Sequence, residues 1–192
     1  ALLVYLFYYH LNTRLYFLLM EDAMSDIRIL TLDDLAQYKA LLETGDHAFN
    51  WDKIYLTHIT EENLNLLLSP DMTYAYIFGM FDQNELVAAA TYYQIQFVGR
   101  EHKANFEDLF VKENNHDYSK ALIRHILQYA EDHQIEKVMT SIISNNISDK
   151  IMYSSIGFET LGYEEDAYKI NDEYQDVHWL IYHTKRAKQK ND

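Results

Sequence analysis

The chain has 192 residues, 48% of them hydrophobic and 24% charged, which suits one globular domain with a sizeable core. Its net charge of −14 argues against a nucleic-acid partner, because phosphates are met by a basic face. It has no cysteine, which excludes a disulfide framework, a thiolate zinc site and a cysteine nucleophile, and fits a reducing, cytoplasmic setting.

Residues 1–23 differ from the rest. Two apolar runs flank a polar stretch containing His10, Asn12, Thr13 and Arg14, so no uninterrupted apolar span of about 20 residues is present and no membrane segment is expected. A signal peptide would need a basic start and a small-residue cleavage site, and neither is clear. From Met24 the sequence reads like a natural start, so 1–23 is expected to be a leader of non-native or upstream sequence, with Met24 or Met20 as initiator. The rival expectation is an oligomerisation helix. The domain then covers 24–184, and 185–192 is a basic tail carrying Lys185, Arg186, Lys188 and Lys190.

The pattern predicts a strand over 26–31 and a helix over 32–44, with Asp33 and Asp34 in its first turn and Leu35, Tyr38, Leu41 and Leu42 as its apolar stripe. Thr60 opens a second helix that ends before Pro70. Strands at 74–81 and 86–98 are joined by Asp82-Gln-Asn-Glu85, a hairpin signal. Further strands are predicted at 103–112, 137–143, 158–169 and 177–183. Helices are predicted at 117–132 and 146–156, the second between a capping Asn146 and a terminating Gly157.

The most informative stretch is Asn146-Ile-Ser-Asp-Lys-Ile-Met-Tyr153-Ser-Ser-Ile-Gly157-Phe158. Together with the order β-α-α-β-β-β-α-β-α-β-β, it resembles the GNAT acyl-CoA N-acyltransferases. The resemblance implies an α/β (α+β) fold with a mixed, twisted sheet of about seven strands flanked by helices. It also implies acetyl-CoA as cosubstrate, a small-molecule or peptide amine as acceptor, and a homodimer as the common assembly.

By the same resemblance, Tyr153 protonates the departing thiolate and Asn146 contacts the pantetheine arm. Leu109-Phe110-Val111 ends the central strand, and its backbone would hold the thioester carbonyl and the arm. The loop that follows normally binds pyrophosphate through backbone N–H groups and glycines. Here Asn114 takes the Arg/Gln position, and Asp117 and Ser119 fill the glycine positions. Asp117 could cap its own helix, while the N–H groups of Tyr118, Ser119 and Lys120 remain as donors. The departure leaves a second reading open: a GNAT-fold binding or regulatory protein without transferase activity.

Glu107 is the candidate base. Strict alternation places it on one strand face with Asn105, Leu109 and Val111, and places Asp108 on the other between Phe106 and Phe110. A salt-bridged strand carboxylate is the plainer alternative. Tyr92, Tyr93, Tyr163 and Tyr168 are expected to pack the sheet, with some available to line an acceptor pocket. The nine His residues show no ligand spacing, so no metal is expected.

Overall fold

A computed structural model of the chain describes residues 26–47, 61–170 and 172–189. The 1–23 leader, Met24 and the Thr60 helix start lie outside the described residues.

β1 (Asp26–Ile29) runs antiparallel to β3 (Ala75–Asp82). A 3₁₀ turn (Leu32–Asp34) then leads into α1 (Leu35–Thr44). The predicted first helical turn is therefore this tighter turn. Asp34 is not a solvated helix-start acid: it is 5% exposed and takes both Arg28 guanidinium nitrogens at 2.7 Å. Arg28 in turn lies 4.4 Å over the Phe81 ring. The Arg28 hydrogen bond is the main cause that holds the Asp34 carboxyl down at about 2, against burial, with Thr31 N–H assisting. A carboxyl depressed in the fold stabilises it above its unfolded pKa of 3.8, and that contribution is lost as pH falls from 3.8 to about 2. About 2 kcal/mol of urea-measured stability is expected to disappear across that window, and Asp34→Asn should flatten it.

β2 (Asp46–His47) follows, then α2 (Glu61–Leu67). β3 and β4 (Glu85–Gln94) form a hairpin whose two turn residues, Gln83 and Asn84, have φ of 49° and 67°. Two successive positive φ values match the twist of the flanking strands. Gly79 is required in β3, since a Cβ there would lie 2.3 Å from the Leu30 side chain. β4 stops at Gln94 rather than at residue 98. The chain bends there, leaving Phe97 and Val98 exposed.

β5 (Lys103–Val111) continues the sheet and feeds a 3₁₀ turn (Lys112–Asn114) and α3 (His116–Asp132). β6 (Lys137–Ile143), α4 (Ile147–Ile156), β7 (Glu159–Ile170), β8 (Glu173–His183) and α5 (Lys185–Gln189) complete the chain. The basic tail thus opens as a short helix, with Ala187 buried.

The strands lie in the order β1-β3-β4-β5-β6-β8-β7, with β2 paired to β5. Among the described residues only β5 and β6 are parallel, so the sheet is mixed. Its centre is covered on both sides, which is why Leu86–Ala90 of β4 is buried without alternation. One cluster gathers Phe78, Tyr92, Phe106, Val111 and the α3 residues Leu122, Ile123 and Ile126. The other gathers Ile77, Ala89 and Phe110 with Tyr38, Leu41 and Leu42 of α1. These clusters define an α3 face and an α1 face of the sheet. Among the described residues, no helix is long and apolar enough to cross a membrane.

Candidate active site

The parallel pairing of β5 with β6 spans three residues, Lys103–Asn105 against Lys137–Met139. Among the described residues the pairing of β5 with β6 ends at Asn105, and no strand pairs the β6-facing edge of β5 from Phe106 to Leu109. At Phe110 and Val111 that edge is taken again, by β2. Sequence reading missed β2, and it occupies part of the edge expected to receive the pantetheine arm.

β5 carries a bulge at this divergence. Ala89 pairs Phe110 and Thr91 pairs Glu107, so β5 spends one residue more than β4, and Asp108 sits at φ 54°. The extra residue changes the phase of the strand. Phe106 and Val111 both lie on the α3 face, and Phe110 lies on the α1 face. Glu107 therefore does not share a face with Leu109 and Val111. It lies with Asn105, Asp108 and Phe110 on the α1 face.

On that face Glu107 accepts a hydrogen bond from the Tyr93 phenol at 2.9 Å, and Asn105 Nδ2 donates to the same phenol oxygen at 2.9 Å. Burial first, and the Glu107 charge second, push the Tyr93 phenol up to about 12. Tyr38 of α1 is pushed up by burial and by Asp108, against the Thr91 hydroxyl. Tyr168 of β7 reaches Ser141 of β6 at 3.4 Å and is raised by burial, with Glu107 and Asp108 adding to it. Of the other tyrosines, Tyr92 is core, while Tyr163 is exposed and donates to Asp176.

On the α3 face, Tyr153 of α4 is 3% exposed, its ring 6.0 Å from Phe106 and 5.3 Å from Phe158. Burial raises its phenol strongly and the Asp149 charge adds, while the Thr140 hydroxyl opposes. Thr140 lies on β6 one residue past the end of its pairing with β5. Asn146 caps α4 by accepting from Asp149 N–H at 3.1 Å, and its own amide donates to Asp149 Oδ2 at 2.8 Å. His116 Nε2 lies 3.5 Å from Asp149 Oδ1. Sequence reading missed Thr140, Ser141, Asp149 and His116. Of these only Asp149 had a signal, since Asn-x-x-Asp is the spacing of reciprocal capping.

The loop before α3 folds onto itself. Glu113 and Asn114 have φ of 56° and 48°. The cap of α3 is Asn115, not Asp117: its side-chain oxygen accepts from the N–H groups of Asp117 at 3.0 Å and Tyr118 at 3.3 Å. Ser119 N–H bonds the Asn115 carbonyl at 3.1 Å. Asp117 is exposed, Lys120 is half-buried, and the Tyr118 phenol donates to Asp82 at 2.8 Å. The first-turn donors suited to pyrophosphate are engaged by Asn115. Among the described residues, no group of His, Asp and Glu is arranged to hold a metal.

The family model described as acetyltransferase (GNAT) domain matches residues 27–179. The chain belongs to the GNAT acetyltransferase family. A probable acetyltransferase from Staphylococcus epidermidis is 46% identical, with a TM-score of 0.80 over 84% of this chain and 99% of that one. An N-acetyltransferase from Staphylococcus aureus is 37% identical, with a TM-score of 0.71 over 84% of this chain and 98% of that one. A ribosomal-protein-alanine N-acetyltransferase from Brucella melitensis shares the fold at 17% identity, with a TM-score of 0.63 over 82% and 99% of the two chains. No curated protein sequence matches the chain. The seven-strand path and flanking helices of this GNAT chain are those of its structural neighbours.

Proposed function

We propose that the protein is an acetyl-CoA-dependent N-acetyltransferase that acts on a primary amine by direct attack. The observation that carries this reading is the divergence of β5 from β6, with the Tyr153 phenol on one face of the gap and the Glu107 carboxylate on the other. Bound acetyl-CoA supplies an activated acyl group and a thiolate leaving group. Glu107, directly or through water, takes the proton that the attacking nitrogen gives up as the carbon–nitrogen bond forms. Tyr153 donates its proton to sulfur as the carbon–sulfur bond breaks, a task that suits a phenol kept protonated by burial.

The backbone of Leu109, Phe110 and Val111 would hold the thioester carbonyl and the arm, which requires β2 to yield its place on Phe110 and Val111. Asn146 would contact the arm from the α4 cap. Asn114, Asp117, Tyr118, Ser119 and Lys120 would border the pyrophosphate, whose oxygens must replace the Asn115 side chain on the first-turn N–H groups. A homodimer in the cytoplasm completes this reading.

The test is amine-dependent release of free CoA thiol, which a thiol reagent reads without background because the chain has no cysteine. Glu107→Gln is expected to lower kcat/KM about 100-fold, with the deficit shrinking at alkaline pH where more acceptor is already neutral. A pH-independent deficit would remove Glu107 from the base role.

A second reading is a GNAT-fold binding or regulatory protein without transferase activity. The Asn115 cap and the β2 pairing support it, because both occupy groups the cofactor needs. Absence of acetyl-CoA binding at millimolar cofactor would favour it.

A further inference from the structure

Glu107 stands at a weakly held point of β5. The pairing with β6 ends at Asn105, and the residue after Glu107, Asp108, turns to φ 54°. A glutamate side chain is long and flexible, so ordering it there costs entropy, while a base must be held closely in place. β4 supplies the hold. Tyr93 is the direct cross-strand partner of Asn105, and Thr91 that of Glu107, so Tyr93 stands within reach of both side chains on the α1 face. Its phenol donates to Glu107 Oε1 at 2.9 Å and accepts from Asn105 Nδ2 at 2.9 Å. The direction of this chain is forced. A carboxylate only accepts and a phenol has a single hydrogen, so the phenol oxygen must receive the amide from its other side. Turning the Asn105 amide over would set two acceptors against one hydrogen. Burial first, and the Glu107 charge second, keep that phenol protonated by pushing it up to about 12. The orientation of Asn105 has a cost. Its Oδ1 is buried and has no hydrogen-bond partner among the described residues, and an unpaired buried acceptor destabilises a fold. Stability alone would favour an apolar side chain at this position. What the asparagine contributes is the donor that sets the Tyr93 hydroxyl.

We propose that Tyr93 is a positioning residue for the base, held in its donating direction by Asn105, and that the other oxygen of Glu107, Oε2, is the atom that takes the amine proton. This rests on the transferase reading and deepens its account of the base. As the carbon–nitrogen bond forms, a nitrogen–hydrogen bond breaks and its proton passes to Oε2, directly or through water. Tyr93 keeps its own proton throughout, and Oε1 stays engaged. Neither Tyr93 nor Asn105 has to touch the substrate. Their part is to keep Oε2 in one place, since a drift of about 1 Å in a reacting group can cost on the order of 100-fold in rate.

The experiment measures CoA thiol release with butylamine, benzylamine or a short alanine-initiated peptide, whichever wild type uses fastest. Tyr93→Phe keeps the ring and removes the hydroxyl. It should lower kcat about tenfold and leave the acceptor KM little changed. Asn105→Leu keeps the shape of the side chain and removes the amide. It should lower kcat about fivefold yet melt no lower than wild type, because the unpaired carbonyl goes with the amide. In a Glu107→Gln background no base is left to position, so adding Tyr93→Phe should change kcat by less than about twofold. A further tenfold drop in that double variant would mean that Tyr93 acts independently of Glu107, and it overturns the proposal. So does an Asn105→Leu variant with wild-type kcat, or one that melts several degrees lower. If wild type releases no thiol with any of the three amines, the transferase reading fails and the proposal falls with it. Turnover with independent effects of Tyr93 and Glu107 fails the proposal alone.

Discussion

Tyr153→Phe is expected to lower kcat about 100- to 1,000-fold while leaving acetyl-CoA binding nearly unchanged. The substitution removes one hydroxyl and keeps the ring. The contacts with Phe106 and Phe158 that seat α4 against the sheet therefore survive. What is lost is the proton donor proposed for the leaving thiolate and the partner of the Thr140 hydroxyl. Leaving Thr140 short of a partner in a buried site should cost about 1–2 kcal/mol of stability, too little to unfold the domain. Single-turnover rates with the best amine, alongside cofactor titration by thermal shift, separate the two effects. A variant that turns over as fast as wild type would take Tyr153 out of the acid role. One that also fails to bind cofactor would make Tyr153 part of the slot instead.

The largest stability loss is expected from Phe106→Ala, about 3–5 kcal/mol. Phe106 is 0% exposed and stands at the first position of β5 that has left β6. The pairing of the two strands ends at Asn105, so side-chain packing must hold the region beyond it. The Phe106 ring does so against Tyr153 and Phe158, each centroid at 6.0 Å. Truncation removes that support and leaves a cavity under the divergence. For a domain of this size the melting temperature should fall by roughly 10 °C. Phe106→Leu, which keeps most of the volume, should recover more than half of the loss. If Phe106→Ala melted within a degree or two of wild type, the region would have to be held by something other than this aromatic group.

The sequence announces its elements where local chemistry decides them. Asn146 and Gly157 mark the ends of α4 because one accepts from the Asp149 N–H and the other holds φ at 111°. Asp82-Gln-Asn-Glu85 marks the hairpin because Asn84 suits the positive φ that both turn residues adopt. Both features depend on a few neighbouring residues. The face of Glu107 depends instead on how β5 registers against β4, and nothing in Phe106-Glu-Asp-Leu109 distinguishes a bulge from regular alternation. Asp108 looks like any polar strand residue until its pairing is known. β2 is two residues long and is defined only by a partner more than sixty positions away. Asn115 and Asp117 are both good caps in sequence. The backbone turn through Glu113 and Asn114 decides between them. The position of Tyr153 on α4 was thus readable from one short segment, whereas the face that carries Glu107 was not.

The two halves of β5 have opposite phase, and this limits how the strand can change in length. Deleting Asp108 would restore simple alternation with Phe106, Leu109 and Val111 still on the α3 face and Glu107 and Phe110 still on the α1 face, so both cores would be kept and only the bulge lost. Substitution can retune what the site holds while the frame stays fixed. The bulge residue is thus the position in this stretch whose loss leaves every downstream side chain on its own face, whereas a further single insertion without a second bulge would turn Phe110 and Val111 onto the wrong faces.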